Sequence, residues 1–503
     1  MTFDVEQLDH FVLIGSAVTL FAILAVRFSS RTGLPTLLVY LLMGVLLGEA
    51  VIGIDFSDAA LAHALGFAAL ALILAEGGLT TAWHEVRSSM RLGATLALLG
   101  VAITVTVVAV ASHYLLDLNW QLAVLLGAVT APTDAAAVFS VLRVVPLPRR
   151  ITGPLEAESG LNDAPTVVLV TLISTGAVHE HPLWMVGGII VYELAVGTVI
   201  GLAVGFGGAW LMRRVALPAS GLYPLAVLAL TFLAYGGGAA VHASGFAAVY
   251  VAALVLGNAD LPHRGATRSF AEGLAWLAQI GLFIMLGLLA SPGRLTWNVV
   301  GLALVAGLIL TFVARPLSVL ASTALKRMSW ADRAFLSWAG LRGAVPVVLM
   351  TIPLAEGVPG SLRLFDIVFV MVVVYTLLTA PSLPWVARLL GVATPTDPRA
   401  LELEVAPLER LAADLVQIAI TPESRMHGVE VGELRLPQGA SVSLVVREGK
   451  IMVPERRTAL RHGDELLIVT PRSQREATER RLRQVSRYGR LARWVADRPR
   501  PTG

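Results

Sequence analysis

The 503-residue sequence contains no cysteine, which excludes disulfides, thiol nucleophiles and cysteine-ligated metals and leaves the redox compartment open. Charge is scarce too: 15% of residues are charged and 56% hydrophobic, whereas soluble domains carry about 25% charged residues. There is no GxxxxGK[ST] phosphate loop, so ion gradients rather than ATP are the expected energy source. A pore filter resembling TVGYG is also missing, which weighs against a potassium-type channel. The isoelectric point is near 9.4, yet the net charge is only +3. The basic residues sit in short loops rather than in a nucleic-acid-binding stripe. "MTFDVEQLDH" at the N-terminus is acidic where a signal peptide would be basic, so the first apolar segment is read as a retained membrane helix.

What the sequence has in abundance is apolar runs. About thirteen segments long enough to cross a bilayer fall between residues 11 and 391, each near the 20 residues a span needs. Loops after odd-numbered segments hold fourteen lysines and arginines, from Arg27 and Arg31 to Arg333; loops after even-numbered segments hold only Arg294 and Arg363. That asymmetry predicts an outside N-terminus and a cytoplasmic C-terminus. The fold class expected is an all-α polytopic membrane protein followed by a small cytoplasmic α/β domain.

Beyond residue 391 the composition changes. "VATPTDPRALELEVAPLER" reads as a polar connector over 392–407. Alternating runs such as "SVSLVVREGKIMVP", with a hairpin turn at "REGK", predict a soluble domain over 408–486. Residues 487–503 form a basic tail, read as a solvated end, with contact to anionic lipid headgroups as the alternative.

Against this apolar background a few ionisable residues stand out: Glu76, Asp134, Glu158, Asp163, Glu193, Arg315 and Arg342. Each costs about 2.5–3.5 kcal/mol to place mid-membrane, so each is a functional candidate. A buried ion pair that merely fixes helix positions is the competing reading, but seven such residues spread over six spans exceed what that role needs. Two spans also carry breaks. "GAVTAPTDAAAVF" in the fifth (120–142) places Pro132 mid-membrane beside Thr130, Thr133 and Asp134, and "GLRGAVPVV" in the twelfth (332–355) sets Gly340, Gly343 and Pro346 around Arg342. Proline removes a backbone donor, and paired interrupted spans point to a midplane transport site. Asp134 is suited to the positive helix ends so exposed and Arg342 to the negative ones.

The sixth span contains "ESGLND". Ser159 and Asp163 are four residues apart, as are Glu158 and Asn162, so the two pairs mark two helix faces. Hydroxyl and carboxylate oxygens on one face suit a partly dehydrated monovalent cation or, alternately, a proton. Glu158 belongs to the other face and is expected to pair with Arg315 or Arg342.

At "GAVTAPTDAAAVFSVLR", "LEAESGLNDAPTVVL", "ARPLSV" and "GLRGAVPVV" the chain resembles the monovalent cation:proton antiporter superfamily, NhaP type, over residues 10–391. The resemblance implies thirteen spans with inverted repeats, two crossed broken helices and a homodimer. Residue by residue, it implies a cation- and proton-binding set of Asp163, Asn162, Ser159, Thr133, Asp134 and Glu76, in which Asn162 marks the electroneutral branch, with Pro132 supporting the broken helix. It further implies a stabilising Glu158–Arg315 pair and a supporting arginine at Arg342. The later stretch from "GVEVGELRLPQG" to "HGDELLIV" is similar to the TrkA-C (RCK C-terminal) domain, which accompanies potassium/proton antiporters and implies K+ ahead of Na+ as cargo.

The expectation is therefore an electroneutral K+ (or Na+)/H+ antiporter of a bacterial inner-membrane type, without a cofactor, enzymatic activity or nucleic-acid partner, regulated by its cytoplasmic domain, for which a small nucleotide is an analogous ligand. A Na+-selective antiporter is the alternative. A gated cation channel and a sensor anchored by the bundle leave the broken helices or the buried charges unexplained. His179 and His181 in "HEHP" read as solvated, Glu193 as a contact at a dimer or repeat interface, and His242 as a structural donor or a proton relay. The glycines of "GLAVGFGGAW" read as close helix packing.

Overall fold

The computed structural model describes residues 5–32, 36–54, 56, 58–134, 147–177, 182–343, 345–393, 403–408, 413–447 and 449–492. The chain divides into two compact units, Met1–Thr394 and Pro395–Gly503.

In the first unit every described stretch of the thirteen expected spans is largely helical, as it must be where no water is at hand to satisfy the backbone. In chain order these are α1 (Val5–Thr32), α2 (Thr36–Val45), α3 (Ala59–Thr80), α4 (Met90–Leu115), α5 (Trp120–Thr130), α6 (Arg149–Ser174), α7 (Leu183–Arg214) and α8 (Leu222–Ala240). There follow α9 (Gly245–Asn258), α10 (Arg264–Leu289), α11 (Trp297–Ser322), α12 (Trp330–Trp338), α13 (Val345–Leu349), α14 (Thr351–Ala355) and α15 (Ser361–Leu389). The twelfth span is the assembly α12–α14. Seven of the described helices are long and apolar enough to cross a membrane, and the other apolar spans are shorter. The sixth, α6, meets neither description, because Arg149, Arg150, Glu156, Glu158 and Asp163 interrupt its apolar character.

Helix starts follow local chemistry. Asp58 accepts a hydrogen bond from the Leu61 N–H at the head of α3, Asn119 does so from Leu122 for α5, and Thr296 from Val299 for α11. Each cap satisfies one of the donors a helix start leaves unpaired. Close helix approach is made by glycine. A side chain on Gly201 of α7 would meet the Ala248 carbonyl oxygen of α9 at 2.6 Å, and one on Gly205 would meet Val255 at 2.8 Å. The glycine spacing read from sequence thus packs α7 onto α9. A π-helical turn at Leu310–Ala314 lies inside α11, immediately before Arg315; such turns concentrate at functional positions.

The second unit is a five-stranded antiparallel sheet in the order β1-β2-β5-β3-β4, with β1 Leu403–Leu408, β2 Ala413–Ala419, β3 Ser441–Arg447, β4 Lys450–Met452 and β5 Glu465–Pro471. Helix α16 (Arg475–Tyr488) buries Leu482 and Val485 against Val416, Ile418 and Ile468. Arg447 pairs with Lys450 across the two-residue turn ending in Gly449, whose φ is +75°, as expected of "REGK".

The boundaries differ from the sequence reading in two places. All of β1 but Leu408 lies in the stretch read as a connector, and α16 runs to Tyr488 with Ala492 buried beyond it, inside the stretch read as a tail. β1 contains Pro407, which argues against a central strand and is tolerated here because β1 is at the sheet edge. Residues 493–503, and His179 and His181, lie outside the described residues.

Candidate functional site

Helix α5 ends at Thr130, ahead of Pro132, and α12 ends at Trp338, ahead of Gly340 and Arg342. The second half of the fifth span lies outside the described residues. The two breaks are tied directly: the Asp134 N–H donates to the Leu341 carbonyl at 2.9 Å. Arg342, 6% exposed, donates from one guanidinium nitrogen to the carbonyls of Ala131 at 2.6 Å and Pro132 at 2.7 Å. Those carbonyls lie at the C-terminal end of α5, where the helix dipole is negative. Thr376 of α15 holds the Arg342 carbonyl at 2.9 Å. Gly343 lies against the Asp134 carboxylate, with no room for a side chain between them.

Helix α6 supplies the rest. Asp163 is 5% exposed, and its Oδ1 has no hydrogen-bond partner among the described residues. It lines a cavity of about 400 Å³ together with Ser159 and Glu156 of α6, Thr133 and Asp134 of the first break, and Glu76 of α3. Asn162 is not on that wall. One residue along a helix turns the side chain by about 100°, so Asn162 faces the break instead and donates from Nδ2 to the Thr133 hydroxyl at 2.9 Å. Its Oδ1 has no partner among the described residues.

Of the two partners left open for Glu158, it is Arg315 that reaches it. The guanidinium makes two bonds to the carboxylate, that from the second terminal nitrogen to Oε2 at 2.9 Å, and also donates to the Leu336 carbonyl of α12 at 3.3 Å. Both members are buried, and this one pair connects α6, α11 and α12. Glu193 is half-buried on α7; its backbone carbonyl accepts from the Ser244 N–H at 3.1 Å, and it does not line the cavity. His242 is exposed in a turn with φ +53°.

Among the cavity residues not singled out from sequence are Glu156, Tyr250 of α9 and Gln279 of α10. Glu156 was legible, since it precedes Asp163 by two helical turns on the same face. Tyr250 offered only a polar tip in an otherwise apolar span.

Crossed, interrupted helices around a buried carboxylate define a secondary ion transporter by class. Residues 16–389 match the family model of the transmembrane sodium/hydrogen exchanger, and residues 415–483 match the TrkA-C domain. The K(+)/H(+) antiporter NhaP2 of Shewanella oneidensis is 35% identical over 507 aligned positions, covering 98% of this chain and 87% of that protein. The K(+)/H(+) antiporter NhaP of Alkalimonas amylolytica is 34% identical, covering 92% and 82%, and the Na(+)/H(+) antiporter ApNhaP of Aphanothece halophytica is 25% identical, covering 71% of each. The solved sodium proton antiporter MjNhaP1 of Methanocaldococcus jannaschii superposes with a TM-score of 0.66 at 22% identity, covering 76% of this chain and 99% of that one. The chain belongs to the sodium/hydrogen exchanger family and carries a TrkA-C domain.

Proposed function

We propose that the protein exchanges K+ for H+ across the membrane, one for one and by alternating access, under control of its TrkA-C domain. The observation that carries this reading is Asp163: a buried carboxylate with an unpartnered oxygen, at the wall of a polar cavity beside Ser159 and Thr133. Desolvation makes a lone carboxylate hold either a proton or a cation, and holding both at once is disfavoured. Asn162, engaged with Thr133, adds no second charge at that point, which favours electroneutral exchange. Glu158 is held by Arg315 and is thereby withdrawn from proton traffic. Asp134 and Glu76 complete the oxygen-rich wall.

The cavity extends to exposed Thr80, at the end of α3 that leads into Arg87 and Arg91. Arginine-bearing loops mark the cytoplasmic side, so the arrangement is read as inward-open, in a bacterial inner membrane with the N-terminus outside. Preference for K+ is supported by relatives at 34–35% identity that carry K(+)/H(+) names, against 25% for the Na(+)/H(+) one. A Na+-selective exchanger is the second reading. A homodimer and a small-nucleotide ligand at the TrkA-C domain complete the proposal, with no bound cofactor and no enzymatic activity.

The test is reconstitution in proteoliposomes with lumenal pH followed by dye after K+ or Na+ addition. Wild type should move protons in response to K+ more than to Na+, and Asp163→Asn should move none. Equal responses from the two proteins would remove Asp163 from the mechanism.

A further inference from the structure

Of the two aromatic residues on the cavity wall, Tyr250 and Phe283, the tyrosine is seated by glycines on two sides. Tyr250 of α9 is 6% exposed and lines the cavity with Glu156, Ser159 and Asp163. On the α3 side, a side chain at Gly78 would meet the Tyr250 carbonyl oxygen at 2.7 Å, so glycine there lets the backbone of α9 close onto α3. On the α6 side, the phenol ring and hydroxyl lie directly over Gly160, where a side chain would come within 2.9 Å of the ring carbon Cε2 and closer still to the hydroxyl oxygen. Both glycines fall in stretches already notable in the sequence, "ILAEGGL" and "ESGLND". The chemistry of Glu76 and Asp163 does not explain them; the seating of Tyr250 does.

Position along α6 gives the seat its meaning. Gly160 lies four residues after Glu156 and three before Asp163, so with a rise of 1.5 Å per residue the hydroxyl stands about 4.5 Å along the axis from Asp163 and about 6 Å from Glu156. Glu156, Gly160 and Asp163 share one helix face. On a path along this face from Glu156 to Asp163, the phenol oxygen lies about midway. A phenolic hydroxyl accepts as well as donates hydrogen bonds, and a neutral oxygen can replace a water of the cation's shell without adding charge, as filter carbonyls do.

Resting on the reading of Asp163 as the exchange site, the geometry points to Tyr250 as a further cation-handling residue, whose hydroxyl, seated by Gly160, supplies an oxygen to the cation at its approach to Asp163. The role is specificity and affinity rather than proton exchange. Ser159 and Thr133 surround the carboxylate itself, while Tyr250 acts one turn nearer the arginine-bearing side.

The experiment measures K+- and Na+-driven proton flux in proteoliposomes for the full-length wild type, Tyr250→Phe, Gly160→Ala and Asp163→Asn. Phenylalanine keeps the ring and its packing and removes only the oxygen. Loss of one neutral ligand should raise the K+ concentration for half-maximal exchange on the order of 3- to 10-fold, with a smaller change in maximal rate and a changed K+/Na+ ratio. Gly160→Ala, which displaces the ring, should shift the same quantity in the same direction. An unchanged half-maximal concentration and K+/Na+ ratio in Tyr250→Phe, while Asp163→Asn is inactive, would overturn the role of Tyr250 and leave the exchange site standing. Flux retained in Asp163→Asn would instead overturn the reading on which the proposal rests. A loss of maximal rate alone in both Tyr250→Phe and Gly160→Ala would assign the contact to packing and also overturn it.

Discussion

Asp163 and Asn162 are adjacent in the chain and face different surroundings, the carboxylate a cavity and the amide a hydroxyl on the broken span. The same division holds for Glu158, one turn earlier, which meets Arg315 and not the cavity. Because both partners of that pair are buried, removing one leaves the other uncompensated, a loss of about 3–5 kcal/mol. Glu158→Gln should therefore lower the thermal midpoint of the purified protein by many degrees, whereas Ser159→Ala should leave it close to wild type; equal midpoints for Glu158→Gln and wild type would show the pair to be dispensable. In the second unit, burial acts to raise the Asp464 carboxyl, but bonds from the Arg447 guanidinium and the Arg461 N–H outweigh it and hold the group below its ordinary value. A depressed carboxylate binds fewer protons folded than unfolded. Its contribution is present above the ordinary value, about 3.9, and is lost as the pH falls through the lower folded value. Hydrogen-exchange protection of β5 in the intact protein, relative to the unfolded chain at the same pH, should fall below about pH 4. In Asp464→Asn the protection should be lower already at pH 7 and lose that acid step.

Elements explain what single residues do not. The two breaks bind each other through Asp134, Leu341 and Arg342, so the interrupted helices form one unit, and Gly343 is a point of close approach between them. Gly343→Ala would drive a methyl into the Asp134 carboxylate and should cut exchange at least 10-fold, by about 1.4 kcal/mol or more. Retention of full flux in that variant would mean the contact is not kept during transport. Much of this was legible beforehand: Pro132, Pro346 and the glycines around Arg342 announce breaks because an apolar span has little other use for them. Arg315 was ambiguous with Arg342, since both are buried arginines and only the crossing of the breaks decides which carbonyls or carboxylates each can reach. Tyr250 was illegible because its role depends on Gly78 and Gly160 from two other helices. β1 was missed because an edge strand admits the proline that a central strand refuses.

At the scale of the whole molecule, a sodium/hydrogen exchanger bundle and a TrkA-C domain share one chain, and the transport proposal makes a thermodynamic claim about the bundle. One cation for one proton moves no net charge, so voltage is absent from the driving force. If Asn162 marks this branch, the balance point is set by the ion gradients alone. The most direct measurement is therefore the null point: proteoliposomes are loaded so that the K+ ratio across the membrane equals the H+ ratio, and a valinomycin-free voltage is imposed with a third permeant ion. The account predicts no net proton flux at equal ratios, at any voltage, with flux appearing on either side of equality in wild type and vanishing in Asp163→Asn. A null point that moves with voltage would contradict it, because the protons and cations exchanged in each cycle would then carry a net charge across the membrane.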